Sequence, residues 1–206
     1  MDPVTSTDLP ARAAHRSPGR PLSPELSEQL VAVAVDILAD EGWGRLNSDR
    51  VAARARAGKA GIYRRWPTMS ALVRHAVTGF ELVTCPEDTG SLRGDLVALL
   101  QPWTRALSRE ERAAAGLVGA AHHDEELRAG LDAAVVKPLA TVLDELAARA
   151  ADRGEGISPE RLALLRTLVQ ALWWERYTAF STPLSDAEVA DLVDSVLLPA
   201  VTAPTA

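Results

Sequence analysis

Apolar residues recur every three or four positions along most of the chain, which is the period of an amphipathic helix. Leu26, Leu30, Val33, Ala34, Ile37 and Leu38 make one stripe, opened by Ser23 as an N-cap with Pro24 behind it and closed at Gly42. Ser48 is expected to cap a short second helix, "DRVAARA", which "RAG" breaks. A third short helix occupies 58–66, "GKAGIYRRW", and stops before Pro67 because the residue preceding a proline avoids helical dihedrals. Thr68 caps a fourth helix, expected to run to about Val83.

The pattern continues without a strand signal or an internal repeat. Residues 91–107 carry Leu92, Leu96, Leu99, Leu100, Trp103 and Leu107. A long periodic run passes through Leu127, Leu131, Val135, Leu139, Val142 and Leu146, and 151–158 reads as a loop. The segment 158–180 is apolar on two sides. Leu162, Leu165, Val169, Trp173 and Phe180 share one face, and Leu164, Leu168 and Ala171 lie on another. A helix apolar on both sides is buried on both sides. Val189, Leu192, Val193, Val196 and Leu197 form the last stripe. The expected class is all-α: a proline-, serine- and arginine-rich tail at 1–22, a small helical unit at 23–67 and a larger helical bundle at 68–206.

Composition narrows this. The chain has 206 residues and is 47% hydrophobic, enough for one ordinary core. Cys85 is the single cysteine, so no disulfide can close within the chain, and a reducing, cytoplasmic compartment fits. No stretch reaches the roughly 18 apolar residues a membrane span needs. Only two lysines occur against many arginines, a codon effect that fits a GC-rich bacterial genome. The formal net charge is −6, which argues against nucleic acid until its distribution is considered. Residues 42–75 carry eight basic residues and one acidic, Asp49. A basic patch on an acidic body is either a solvated face or an anion-binding surface.

The short elements at 48–66 favour the second. Two short helices joined by a tight turn, behind a longer one, form a helix-turn-helix, with Val51, Ala52, Ala55 and Ile62 as its small core. The later helix of such a pair enters the major groove. Gly58, Ala60 and Gly61 are small enough for close approach, while Tyr63, Arg64 and Arg65 suit the phosphate margins. Trp66 reads as core.

"LNSDRVAARARAGKAGIYRRWPTMSALVRHAV", 46–77, resembles the DNA-binding motif of TetR-type transcriptional regulators. That resemblance implies phosphate contacts from Ser48, Tyr63 and Arg65, and base contacts from Gly58, Lys59 and Ala60. It departs from the family where Arg56 replaces a turn glycine, where Gly61 replaces a serine or threonine and where Met69 replaces a lysine. The turn can shift and use Gly58 instead, and Arg56 can take over charge work. With Arg56 and Thr68 at the flanks, the candidate DNA surface is Ser48, Arg56, Gly58, Lys59, Ala60, Gly61, Tyr63, Arg64, Arg65 and Thr68.

The resemblance further implies a homodimer on a palindromic double-stranded operator, with the last two long helices building a four-helix bundle with the twin chain. The candidate interface is Leu164, Leu168, Ala171, Val189, Leu192, Val193 and Val196. Phe80, Trp103, Trp173, Trp174 and Tyr177 either pack the core or line an apolar pocket for a small effector; adjacent tryptophans point about 100° apart, so both cannot share one wall. "HHD" at 122–124 has no further ligands at metal spacing and reads as a helix end. No nucleophile–base set, phosphate loop or cofactor motif is visible, so neither an enzyme nor a cofactor is expected. The function read from the chain is a ligand-released repressor; the alternative is a helical interaction protein that keeps the helix-turn-helix as scaffold.

Overall fold

The computed structural model describes residues 23–179 and 182–202. Among them every regular element is helical. The expected tail at 1–22, with Arg12, Arg16 and Arg20, and Phe180 lie outside the described residues.

Helix α1 spans Pro24–Glu41, and its N-cap Ser23 accepts from the Leu26 N–H. Its inner face is Leu30, Ala34, Val35, Ile37 and Leu38. Helix α2 is Ser48–Arg54, but its N-cap is Asn47, whose side chain accepts from the Arg50 N–H. Ser48 is therefore the first helical residue and not the cap. Helix α3 is Lys59–Tyr63, and α4, capped by Thr68, is Met69–Thr78. Beyond Gly79 no regular element forms up to residue 89, so α4 ends well before Val83. Leu46, Val51, Ala52, Ala55, Ile62, Trp66, Leu72 and Val73 complete the core around α1.

The turn between α2 and α3 does not shift. Arg56 itself takes the left-handed conformation, at φ 49, and Gly58 stays extended at φ −84. Arg56 N–H reaches Ala53 O and Ala57 N–H reaches Ala52 O, so the backbone ladder fixes this geometry whatever the side chain.

Helix α5, Leu92–Leu100, stops short of 107 because Pro102 converts the chain to a 3-10 turn at Gln101–Thr104. Short helices α6 (Arg109–Ala115), α7 (Val118–Ala121) and α8 (Glu125–Leu131) follow. Helix α9 is Lys137–Asp152, α10 is Pro159–Thr178, α11 is Asp186–Leu192 and α12 is Leu198–Thr202. Two π turns, Asp132–Val136 and Val193–Leu197, join α8 to α9 and α11 to α12. Each precedes a proline, Pro138 or Pro199. A proline ring crowds the carbonyl four residues back and offers no N–H, so a widened turn lets the helix continue. Lys137 N–H accordingly reaches Asp132 O, and Leu198 N–H reaches Val193 O.

Candidate nucleic-acid interface

The outer face of α3 presents Lys59, Ala60, Tyr63 and Arg64, all exposed, with Gly58 at the helix start. Spacings of one, four and five place them on one side of the helix. Tyr63 is 49% exposed, one of few large apolar side chains left open to solvent. Ser48 is half-buried in the first turn of α2, and the Thr68 hydroxyl accepts from the Ala71 N–H.

Two candidate residues face elsewhere. Gly61 is buried, and a Cβ there would meet Leu26 and Arg65 at 3.9 Å. It faces α1 rather than the outer side of α3, and these ordinary contact distances leave room for a Cβ, so packing does not by itself require a glycine there. Arg65 donates from Nε to Ser27 Oγ at 2.7 Å, from Nη1 to Gly61 O at 2.9 Å and from Nη2 to Ser23 O at 3.0 Å. Its guanidinium ties the end of α3 to the start of α1 and positions the outer face rather than forming part of it.

The basic patch is partly compensated. Glu41 pairs with Arg50 at 2.5 Å and Arg54 at 2.6 Å. Desolvation works to raise the Glu41 carboxyl, and the two guanidinium groups outweigh it and hold it below the usual range. Lys59 Nζ lies 2.6 Å from Asp49, whose hydrogen bond and charge raise the ammonium above its ordinary value. Arg74 pairs with Glu126 at 2.9 Å. Among the described residues, Arg45, Arg56 and Arg64 have no carboxylate partner. The sequence reading missed Glu41 because it lies one residue outside the basic window, and missed the Arg65 anchor because Ser23 and Ser27 are remote in sequence.

The C-terminal helices do not gather the five pocket candidates around one cavity. Trp103 and Trp173 are buried edge-to-face at 5.5 Å, and Trp173 Nε1 donates to Tyr177 Oη at 3.3 Å. Burial pushes the Tyr177 hydroxyl up to about 12. Trp174 turns away and lines a cavity of about 390 Å³ with Val118, Leu131, Val136 and Gln170, between α7, α8 and α10. Trp103 lines a second, of about 270 Å³, between α10 and α11, and Trp173 a third, of about 450 Å³, against residues 81–86. Phe80 is half-buried and lines none of these. His122 ends α7 with Nδ1 3.1 Å from Val118 O. No group of described residues could hold a metal ion, and no described helix is long and apolar enough to cross a membrane.

Residues 30–76 match the family model for bacterial regulatory proteins of the tetR family, and residues 86–196, more than half the chain, match that for the tetracyclin repressor-like C-terminal domain. The chain belongs to the TetR family. It is 35% identical over 176 residues to a DNA-binding transcriptional repressor TetR of Mycobacteroides abscessus, covering 84% of this chain and 92% of that one. An HTH-type transcriptional regulator of Mycobacterium tuberculosis is 33% identical over 186 residues, 90% of this chain and 92% of that one. The crystal structure of a TetR family transcription regulator, 26% identical, superposes with a TM-score of 0.56 over 84% of this chain and 97% of its own. The multidrug binding protein EbrR complexed with ethidium shares the fold, at 18% identity and a TM-score of 0.62 over 87% and 99%. As a TetR-family chain, the protein is a DNA-binding transcriptional regulator.

In this TetR-family chain two seams join the helix-turn-helix to the C-terminal helices. At α4 and α8, Ser70 Oγ donates to Asp124 at 2.5 Å and Arg74 pairs with Glu126. The Ser70 hydrogen bond is the main cause holding the Asp124 carboxyl below its ordinary range. A Cβ on Gly130 would lie 3.3 Å from Arg74 Cα. At α1 and α6, Arg109 donates to Asp36 at 2.6 Å and to Ala32 O at 2.8 Å, and a Cβ on Gly116 would lie 3.1 Å from Leu38 O. Of the residues expected at a dimer interface, Leu164 and Val196 are 41% and 39% exposed, Ala171 is exposed, and Leu168 and Leu192 are half-buried. Val189 and Val193 are at 0%, inside the chain's own core, and cannot reach a partner.

Proposed function

We propose that the chain is a homodimeric repressor, working in the cytoplasm, that leaves a palindromic operator when a small apolar or aromatic molecule binds its C-terminal helices. Residues 23–67 carry the DNA surface and 68–206 the effector and dimer surfaces. The observation that carries this reading is the α4–α8 seam. Helix α8 touches α4 backbone-to-backbone at Gly130 on one side and walls the Trp174 cavity on the other. A molecule in that cavity displaces α8, and the Asp124 and Glu126 contacts hand the shift to α4 and its helix-turn-helix. A shared fold that holds ethidium in EbrR supports a ligand in helices of this layout.

Dimerisation rests on the open stripe of Leu164, Leu168, Ala171 and Val196 along α10 and the C-terminal helices. A C2 pair brings the same patch of each chain together and sets two α3 helices to meet half-sites about one DNA turn, roughly 34–36 Å, apart. The coupling expected of such a switch is about 1–3 kcal/mol, roughly 5–150-fold in operator affinity.

The test is recovery and sequencing of the genomic fragments retained by the purified protein, then gel-shift competition with an aromatic and lipophilic compound set. A palindrome released by a compound that also perturbs Trp174 fluorescence is the expected result. Retention of no preferred fragment would overturn the operator reading. Compounds that bind free and operator-bound protein equally would overturn the effector reading, because a ligand without differential affinity shifts nothing.

A further inference from the structure

Helix α3 is too short to fix its own direction. It has five residues, of which Gly61 and Ile62 alone are buried. Isolated helices under about 12–15 residues are marginal in water, so its placement comes from what it touches. Ile62 and Trp66 supply buried apolar contact. Such contact resists separation but is non-directional, and it does not by itself fix rotation about the helix axis. Gly61 does little to stop that rotation, since the nearest atoms to a Cβ there lie 3.9 Å away.

A directional contact between the end of α3 and the start of α1 runs through Arg65. Its Nε donates to Ser27 Oγ at 2.7 Å, Nη2 to Ser23 O at 3.0 Å, and Nη1 to Gly61 O, inside α3 itself, at 2.9 Å. The guanidinium is planar, so three acceptors around its fork settle its orientation. Ser27 is seated in turn: its hydroxyl donates to Ser23 O at 3.2 Å, one turn back. The Ser27 bond is the shortest of the three, and a hydrogen bond from a charged donor is roughly twice as strong as a neutral one. We propose that Ser27 is a positioning residue for operator recognition: its hydroxyl seats the Arg65 guanidinium, which holds α3 at the angle that presents Lys59, Tyr63 and Arg64 to the groove. This rests on the reading that α3 carries the DNA surface, and it gives Arg65 the task of an inward clasp in place of a phosphate contact.

The test is fluorescence anisotropy of the full-length protein on an operator taken from the retained genomic fragments and on a random duplex, each over a range of salt. Ser27→Ala removes the acceptor and no charge. Alanine is the better helix former, so α1 itself is not weakened. Operator affinity should fall about five- to tenfold at an unchanged salt slope, while random-duplex affinity, which depends on charge, stays within about twofold. Ser27→Thr keeps a hydroxyl and should recover most of the loss. Arg65→Lys keeps the charge, but one ammonium cannot bridge the three acceptors, so operator affinity should fall at least as far. In the double variant the two losses should not add, because both break one contact. Wild-type operator affinity in Ser27→Ala or in Arg65→Lys would overturn the inference. So would losses that add fully, or an equal loss on operator and random DNA, the mark of a merely unfolded head. Tyr63→Ala keeps the two readings apart. If it leaves operator binding intact, α3 is not the DNA surface and the wider reading fails. If it weakens binding while Ser27→Ala does not, the positioning role alone fails. Absence of any preferred fragment defeats both.

Discussion

Arg56 puts a charged side chain where the backbone asks for glycine. Its φ of 49 lies in the left-handed region, which disfavours an L-residue by about 1–2 kcal/mol through Cβ–carbonyl crowding. Arg56→Gly relieves that crowding but loosens the unfolded chain, which offsets about 0.5–1 kcal/mol. Arg56→Ala keeps the crowding and removes the same exposed guanidinium, for which no carboxylate partner exists among the described residues. The glycine variant should therefore exceed the alanine variant by roughly 0.5–1 kcal/mol, or about 1–4 °C in Tm for a chain of this size. Thermal melts at matched protomer concentration read this difference. Both variants should lose the same operator affinity, with a salt slope lower by about 0.9 if Arg56 meets one phosphate. A glycine variant that melts no higher than the alanine variant would refute the strain argument. Unequal operator binding by the two would refute the assignment of Arg56 to charge alone.

Asp49→Asn frees the Lys59 ammonium from an exposed pair 2.6 Å long, so non-specific DNA affinity at low salt should rise by roughly two- to fivefold; unchanged anisotropy titrations would show the pair has no hold on Lys59. Gly130→Ala places a Cβ 3.3 Å from Arg74 Cα, so α8 or α4 must move by a few tenths of an ångström; effector coupling should change while operator affinity without effector moves less, as gel shifts with and without ligand would read. Leu168→Glu sets a carboxylate in the middle of the proposed dimer stripe and should lower the light-scattering mass toward the 22.0 kDa protomer; an unchanged dimer would place the interface elsewhere. Burial works to raise the Asp95 carboxyl, but Thr89 and Arg153 outweigh it and hold it below its ordinary value. Its stabilising contribution is thus complete above about pH 4 and is lost as pH falls through the depressed folded value. Acid unfolding followed by circular dichroism should show a shallower limb in Asp95→Asn.

What the sequence made legible was whatever is decided locally. The helix starts expected at Ser23 and Thr68 follow from a hydroxyl within three residues of an open N–H, and each forms that bond, as Ser91, Ser158 and Ser185 do for later helices. The Asn47 start was misplaced by one residue because Asn47 and Ser48 are both good caps and only the backbone dihedral chooses. Pro102, Pro138 and Pro199 carried signals for the broken fifth helix and the two π turns, and the periodicity of the surrounding apolar residues hid them. The Arg56 turn was illegible for the opposite reason: the residue contradicts the conformation, and the flanking ladder prevails. Arg65 and the Trp103–Trp173 pair depend on elements about 40 to 70 residues apart meeting in space, which no local pattern encodes.

The compensation of the basic patch changes how the surface can recognise DNA. Eight basic residues against one acidic, over 42–75, would by themselves create a long-range field. Glu41, Asp49 and Glu126 instead place a carboxylate within 2.9 Å of Arg50, Arg54, Lys59 and Arg74, and residues 76–206 add an acidic excess. At a distance larger than a Debye length, about 8 Å at physiological salt, little attraction survives. Contact is different. Exposed pairs of this kind hold by about 0–1 kcal/mol, so a phosphate that replaces Asp49 at Lys59 meets little resistance. The charge of these four residues is thereby withheld until the phosphates arrive in register with α3. A duplex whose groove does not bring them there meets the pairs, the acidic body and only the unpaired Arg45, Arg56 and Arg64. Such a surface trades encounter rate for discrimination, which suits a regulator that must leave random DNA more readily than its operator.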